Sequence, residues 1–137
     1  MVQIKGTYKL EKNENLDNFF AEVGMPILIR KMVLVSHPLM IISEDEDGYW
    51  KITTSTLMKT TVLKFKLGEE YEEEMPNTDI VFKNVTTLSG NKLETISKNH
   101  KGKKTIRTYD FSDSGVVLTL LNHETGTIAK RYFKRVT

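Results

Sequence analysis

"NLDNFFAEVGMPILIRKMVLVS", residues 15–36, is the stretch that decides the fold. It reads as two short helices interrupted at Gly24-Met25-Pro26. Asn15 stands where an N-cap is wanted, and Asp17 lies near the positive end of the first helix. Leu16, Phe19, Phe20 and Val23 fall at helical spacing on one face. Gly24 suits a C-terminal cap, and Pro26 suits the first turn of a second helix. In that helix Ile27, Leu28, Lys31, Leu34 and Val35 give an apolar face with basic residues beside it, and Pro38 ends it.

The flanks of this pair read as strand. Glycine and acidic or asparagine clusters punctuate the chain at 44–48, 67–70, 75–79, 89–91, 99–103, 110–115 and 122–126. Between them lie short runs rich in Thr, Val, Ile, Phe and Tyr. Repeated short strands with regular turns indicate an antiparallel meander, either closed as a barrel or packed as a sandwich. The order is one strand, a helix pair, then about nine strands. No repeat or linker divides the chain, so 1–137 is expected to be a single domain with its helical segment at about 15–36.

Composition narrows the function. The chain has 137 residues, 39% hydrophobic and 28% charged, with a net charge of +2 and no cysteine. Disulfides, thiolate metal sites and cysteine catalysis are excluded. The small charge gives no footprint for nucleic acid. No apolar run approaches the ~18 residues of a membrane span, and no secretory start is visible, so a cytoplasmic location is expected. His37, His100 and His123 are scattered, and the acidic turn 45–48 lacks a calcium-loop pattern, so no metal or cofactor is expected. The glutamates within 69–74 read as a solvated rim or strand edge. Asn84-Val85-Thr86 is a glycosylation sequon whose simplest reading is chance. No nucleophile–base pair stands at recognisable spacing, so an enzyme is not expected.

Several strings, taken in order, resemble the intracellular lipid-binding proteins, the family of fatty acid-binding and cellular retinoid-binding proteins. "GTYKLEKNENLDNFFAEVG" (6–24) is similar to the family's N-terminal signature through Gly6, Tyr8, Leu10, Asn15, Asp17, Phe19 and Phe20. "STLMKTTVLKFKLGEEYEEE" (55–74) resembles a second family segment, with Phe65-Lys66-Leu67-Gly68 matching directly. "TIRTY" (105–109) and "KRYF" (130–133) resemble its last ligand-facing strands. The resemblance covers essentially the whole chain and is closest to a fatty acid-binding protein.

The resemblance implies a mainly β fold: a ten-stranded antiparallel up-and-down barrel, with a helix-turn-helix lid between the first two strands. It implies a monomeric carrier that reversibly binds long-chain fatty acids in an internal cavity. Retinoic acid or another acidic lipid is the alternative ligand, and a lipid-gated interaction or nuclear-shuttle protein the alternative role. A fatty-acid tail needs an apolar enclosure, worth about 0.8 kcal/mol per buried CH₂. Its carboxylate needs cationic donors, and the planar fork of arginine suits it best.

By match of motif, Arg107 and Arg131 take the carboxylate. The family's Arg-x-Tyr reads Arg131-Tyr132-Phe133 here, so the usual hydroxyl is missing and another polar group or a water is expected to compensate. Leu16, Phe19, Phe20, Val23, Met25 and Ile29 are expected under the lid. Pro38, Met40, Thr53 and Leu57 carry over from cavity or portal positions. Leu118, Leu120 and Phe133 share the inward face, with Arg135 and Lys130 left as surface or barrel-end charges. Arg30 and Lys31 are candidates for transient contact with anionic membranes. The face taken by Trp50 is left open.

Overall fold

The computed structural model describes residues 2–57, 59–75 and 78–137. Strand β1 (Gly6–Glu14) is followed by helices α1 (Leu16–Glu22) and α2 (Ile27–Val35). Nine strands then follow: β2 (Leu39–Glu44), β3 (Trp50–Ser55), β4 (Thr60–Phe65), β5 (Tyr71–Glu74), β6 (Val81–Ser89), β7 (Lys92–Lys98), β8 (Lys104–Phe111), β9 (Gly115–Asn122) and β10 (Ile128–Arg135).

Every strand pair is antiparallel, in the spatial order β4-β3-β2-β1-β10-β9-β8-β7-β6-β5. The meander closes on itself through β1 and β10, giving a barrel instead of a sandwich. Among the described residues no ladder joins β4 to β5, so the barrel is nearly closed. The rings of Phe65 and Tyr71 stack across that seam at 5.0 Å.

The period of two sorts the side chains. Met40, Ile42, Trp50, Ile52, Leu93 and Phe111 turn inward with Tyr8 and Phe65, and all are buried. Trp50 therefore faces the interior; it pairs with Phe65 across β3 and β4. Thr53 lies on the other face, in register with Ile41 and the exposed Val62.

The helix pair is built much as its sequence suggests, with two differences. The amide of Gly24 donates to Ala21 O and that of Met25 to Phe20 O, which together form a Schellman motif. Gly24 has φ 88°, a conformation that glycine adopts without a Cβ penalty. Asn15 occupies the N-cap position, but its side chain makes no cap bond. It adopts a left-handed backbone and donates instead to the carbonyl of Ile128, 3.0 Å away on β10. Pro26 is the N-cap of α2, one position earlier than expected.

The two helices are held differently. Leu16 and Phe19 of α1 are buried in the core. The Glu22 carboxylate accepts from Asn122 at 3.1 Å and from Thr125 and Thr127 at 2.8 Å each, latching α1 to the β9–β10 turn. No residue of α2 is buried. It hangs on α1 through Arg30, which donates to Asp17 and to the carbonyl of Met25 at 2.9 Å each.

Candidate ligand-binding site

Alternation places Arg107 and Tyr109 together on the inner face of β8. Arg107 lies opposite Thr95 and Leu120, whereas Tyr109 lies opposite Leu93 and Leu118. Leu118 in turn pairs with Arg131 on β10. Arg131 and Tyr109 thus share one rung of the barrel, and Arg107 shares the rung nearer the helices with Leu120 and Ala129. The two rungs are about 7 Å apart along the strand.

The two arginines differ in their partners. Arg107 donates through Nη2 to Oε1 of Glu73 at 2.6 Å and through Nη1 to Oε2 at 3.1 Å. Glu73 also accepts from Asn84 Nδ2 at 2.7 Å. Burial pushes the Glu73 carboxyl up, but the Arg107 charge and the hydrogen bonds outweigh it and hold it below the usual carboxylate range. Burial likewise works against the charged form of Arg107, and the Glu73 carboxylate more than reverses it.

Arg131 donates through Nε to Asn13 Oδ1 at 2.9 Å, and its guanidinium lies 5.7 Å from the Phe133 ring. Its Nη2 is buried without a partner. Among the described residues no carboxylate pairs with it. Burial pulls its pKa down to about 10, which leaves it charged at neutral pH.

Two spaces open onto this region. One, about 580 Å³ with its opening to solvent included, lies under the helices and is lined by Phe19, Phe20, Val23, Met25, Arg107 and Leu120, among others. The second, about 1320 Å³ and partly open to solvent, lies at the β4–β5 seam and reaches Tyr109. Both touch Glu73 and Arg107. Deeper in the wall, Tyr71 and Thr86 hydroxyls meet at 2.6 Å, and Thr86 and Thr95 at 2.7 Å. The interior is therefore apolar under the helices and polar along β5–β8, a suitable division for an amphipathic guest.

The sequence-predicted residues distribute unevenly. Leu16, Met40, Leu118 and Phe133 are buried in the core, and Pro38 is fully buried. Ile29 is half-buried on α2. Leu57 is fully exposed in the β3–β4 turn, and Thr53 faces outward, so neither lines these spaces. The expected rim of glutamates is corrected at Glu73, which shares the inward face of β5 with Tyr71. Alternation along 71–74 is the signal that would have found it. Asn84 of the sequon is fully buried against Glu73, so it is not a surface acceptor for glycan.

Arg135 lies at the barrel end, as the last residue of β10. It stacks over Tyr8 at 4.8 Å and donates to the carbonyls of Lys5 and Thr137, pinning the two chain ends together. Tyr109 was missed as a site residue. Its phenol is buried, which raises its pKa, and it feels both Arg107 and Arg131.

Residues 5–130 match the lipocalin / cytosolic fatty-acid binding protein family. The chain belongs to this family. The fatty acid-binding protein of Tyrophagus putrescentiae is 36% identical over 135 residues, covering 98% of this chain and 99% of that one. The crystal structure of the fatty acid-binding protein from Drosophila melanogaster brain superposes with a TM-score of 0.84 at 31% identity, covering 93% and 95% of the two chains. Echinococcus granulosus fatty-acid-binding protein 1 shares the fold, with a TM-score of 0.88 at 24% identity over 98% of each chain. Within this cytosolic fatty-acid binding protein family, the ten strands and two helices found here are the expected architecture. Among the described residues no helix is long and apolar enough to cross a membrane, and no cluster of His, Asp or Glu could hold a metal ion.

Proposed function

We propose that this protein is a carrier that takes up a long-chain fatty acid, or a comparable acidic lipid, inside the barrel. The tail occupies the apolar space beneath Phe19, Phe20, Val23 and Met25. The carboxylate is received at the buried arginines, with Tyr109 as the nearby hydroxyl. The observation that carries this reading is Arg131, a half-buried cation whose Nη2 atom is buried without a partner. A buried charge without a counter-ion is costly, and a ligand carboxylate supplies both the missing charge and the missing acceptor. The names of the relatives point the same way. Retinoic acid presents the same head group and competes with fatty acids for this assignment. Lipids extracted from the purified protein and identified by mass spectrometry decide between them: fatty acids support the reading, and a retinoid replaces the ligand.

The surface of α2 supports a delivery step at anionic membranes. Ile27, Leu28, Met32 and Val35 are 52–75% exposed. Lys31 is exposed on the same helix, whereas Arg30 is engaged by Asp17. An apolar helix face with a free lysine fits a bilayer interface. Transfer of a fluorescent fatty acid to vesicles tests this: the rate rises with anionic lipid content if contact delivers the ligand and ignores it if release into water does.

A further inference from the structure

We propose that the outer wall of β6–β10 is a docking surface for a flexible acidic segment of another protein, one that carries apolar side chains among its carboxylates. The surface is separate from the cavity and does not depend on what the cavity holds. Alternation builds it. Asn84, Thr86, Thr95 and Ser97 are buried on the inner side of β6 and β7, so Lys83, Val85, Ile96 and Lys98 point outward. On β8 Lys104 and Ile106 do the same, because Arg107 points in. Register then sorts these side chains into two rows. Lys83 faces Lys98, and Lys98 faces Lys104. One rung further from the β7–β8 turn, Val85 faces Ile96 and Ile96 faces Ile106. This aliphatic row continues through Leu121 to Ile128. Ile96 and Ile128 are 36% and 49% exposed.

The lysine row is a cost to the free protein, since like charges directly opposite on neighbouring strands destabilise a sheet. Among the described residues none of the three lysines is in an ion pair. Two carboxylates are near: Glu72 faces Lys83 in register, and Glu124 accepts from the Lys104 backbone amide at 3.4 Å. Lys101 and Lys103, exposed in the β7–β8 turn, add to the positive field. On the other side of the aliphatic row stand Thr87, Glu94, Thr108 and Thr119, and then Lys130, which faces Glu14. The row is therefore basic along one edge and mostly hydroxylic along the other, so carboxylates are drawn to one edge only. Charge and shape together choose the occupant. A second copy of the chain is ill suited, because its exposed apolar helix α2 carries Arg30 and Lys31 and no acidic residue. The aliphatic row crosses five of the ten strands, about 19 Å at the usual strand spacing, and so bends round the barrel. A flat bilayer or a straight helix touches only part of a convex wall at once, whereas a flexible chain follows it. About six extended residues cover that length.

The experiment is an anisotropy titration at about 0.15 M salt, where long-range attraction is largely screened. The probe is a fluorescein-labelled sixteen-residue peptide of glutamates with a leucine at every third position. The same peptide with glutamine in place of glutamate is the control. The proteins are the wild type, Lys83→Gln/Lys98→Gln/Lys104→Gln, Lys98→Gln alone and Ile96→Ser/Ile128→Ser, each checked for folding by circular dichroism. The wild type is expected to bind the acidic peptide at least 10-fold more tightly than the glutamine peptide. The triple lysine variant is expected to weaken the acidic peptide at least 10-fold and the serine variant at least 5-fold. Lys98→Gln alone, expected to weaken it at least 3-fold, covers the case in which the triple variant does not fold. Equal binding of the acidic peptide by the wild type and the lysine variants overturns the inference. A serine variant that binds as well as the wild type also overturns it, because diffuse charge attraction then accounts for the binding. A wild type that ignores the peptide overturns it too; if vesicles of phosphatidylserine and phosphatidylcholine bind through the same lysines instead, the wall is a membrane surface.

Discussion

The guanidinium of Arg107 meets the carboxylate of Glu73 fork to fork, at 2.6 and 3.1 Å, across the inside of the barrel. The side chains are 20% and 27% exposed, so the pair is largely removed from water. Cutting it on one side strands the other charge. Glu73→Gln and Arg107→Gln are each expected to lower stability by about 3 kcal/mol, the low end for breaking a buried pair, given the residual exposure. Urea unfolding at pH 7 measures this. Losses below about 0.5 kcal/mol would place the pair among surface bridges.

The same pair gives a pH signature. Glu73 titrates lower in the folded protein than unfolded, so its contribution is fully present above the ordinary carboxylate pKa of about 4.3 and is lost as pH falls through the folded value. Wild-type stability should therefore fall more steeply below about pH 4.3 than that of Glu73→Gln, the two curves converging in acid. Parallel curves in pH-dependent urea denaturation would remove Glu73 from this role.

Gly115 begins β9 opposite the end of β10, and a Cβ there would lie 2.1 Å from the carbonyl oxygen of Phe133. Backbone must shift to admit even a methyl group. Gly115→Ala is expected to cost about 2–3 kcal/mol, the scale of overpacking. Gly68, with φ 79° and open space around it, should cost only about 1 kcal/mol on change to Ala, from its left-handed backbone. Thermal unfolding of the two variants checks the order.

Membrane delivery separates two neighbouring cations. Lys31→Gln should slow transfer to anionic vesicles about five-fold, the equivalent of about 1 kcal/mol for a lysine at such a surface. Arg30→Gln should mainly loosen α2, because its guanidinium holds Asp17 and the Met25 carbonyl. Stopped-flow transfer rates with neutral and anionic vesicles report both. An unchanged Lys31→Gln rate on anionic vesicles would contradict delivery through this face.

The strand order was legible because turn chemistry is local: each predicted cluster falls between two strands, and Gly24 closes α1 as its sequence indicates. The connection between β3 and β4 has no glycine and escaped notice. Inner faces were legible wherever one position could be anchored. Arg131 gave Phe133 two residues on; the same alternation from Arg107 reaches Tyr109, which was nevertheless missed. Thr53 failed because the match carried a position without checking its neighbours: Trp50 and Ile52, both buried, already placed Thr53 outside. Glu73 was hidden by composition. A run of glutamates looks solvated, yet alternation with Tyr71 sends one of them inward to a cation more than thirty residues away, at Arg107. Arg135 was legible as a barrel-end charge, but its bond to the Lys5 carbonyl was not, since that partner lies at the other end of the chain.

The central claim is that Arg131 receives a ligand carboxylate, and calorimetric titration of hexadecanoic acid and its methyl ester into wild type and Arg131→Gln tests it most directly. The account predicts that Arg131→Gln weakens the acid by about 2–3 kcal/mol, the scale of a hydrogen bond to a charged group, and leaves the ester nearly unchanged. Equal losses for acid and ester would contradict it.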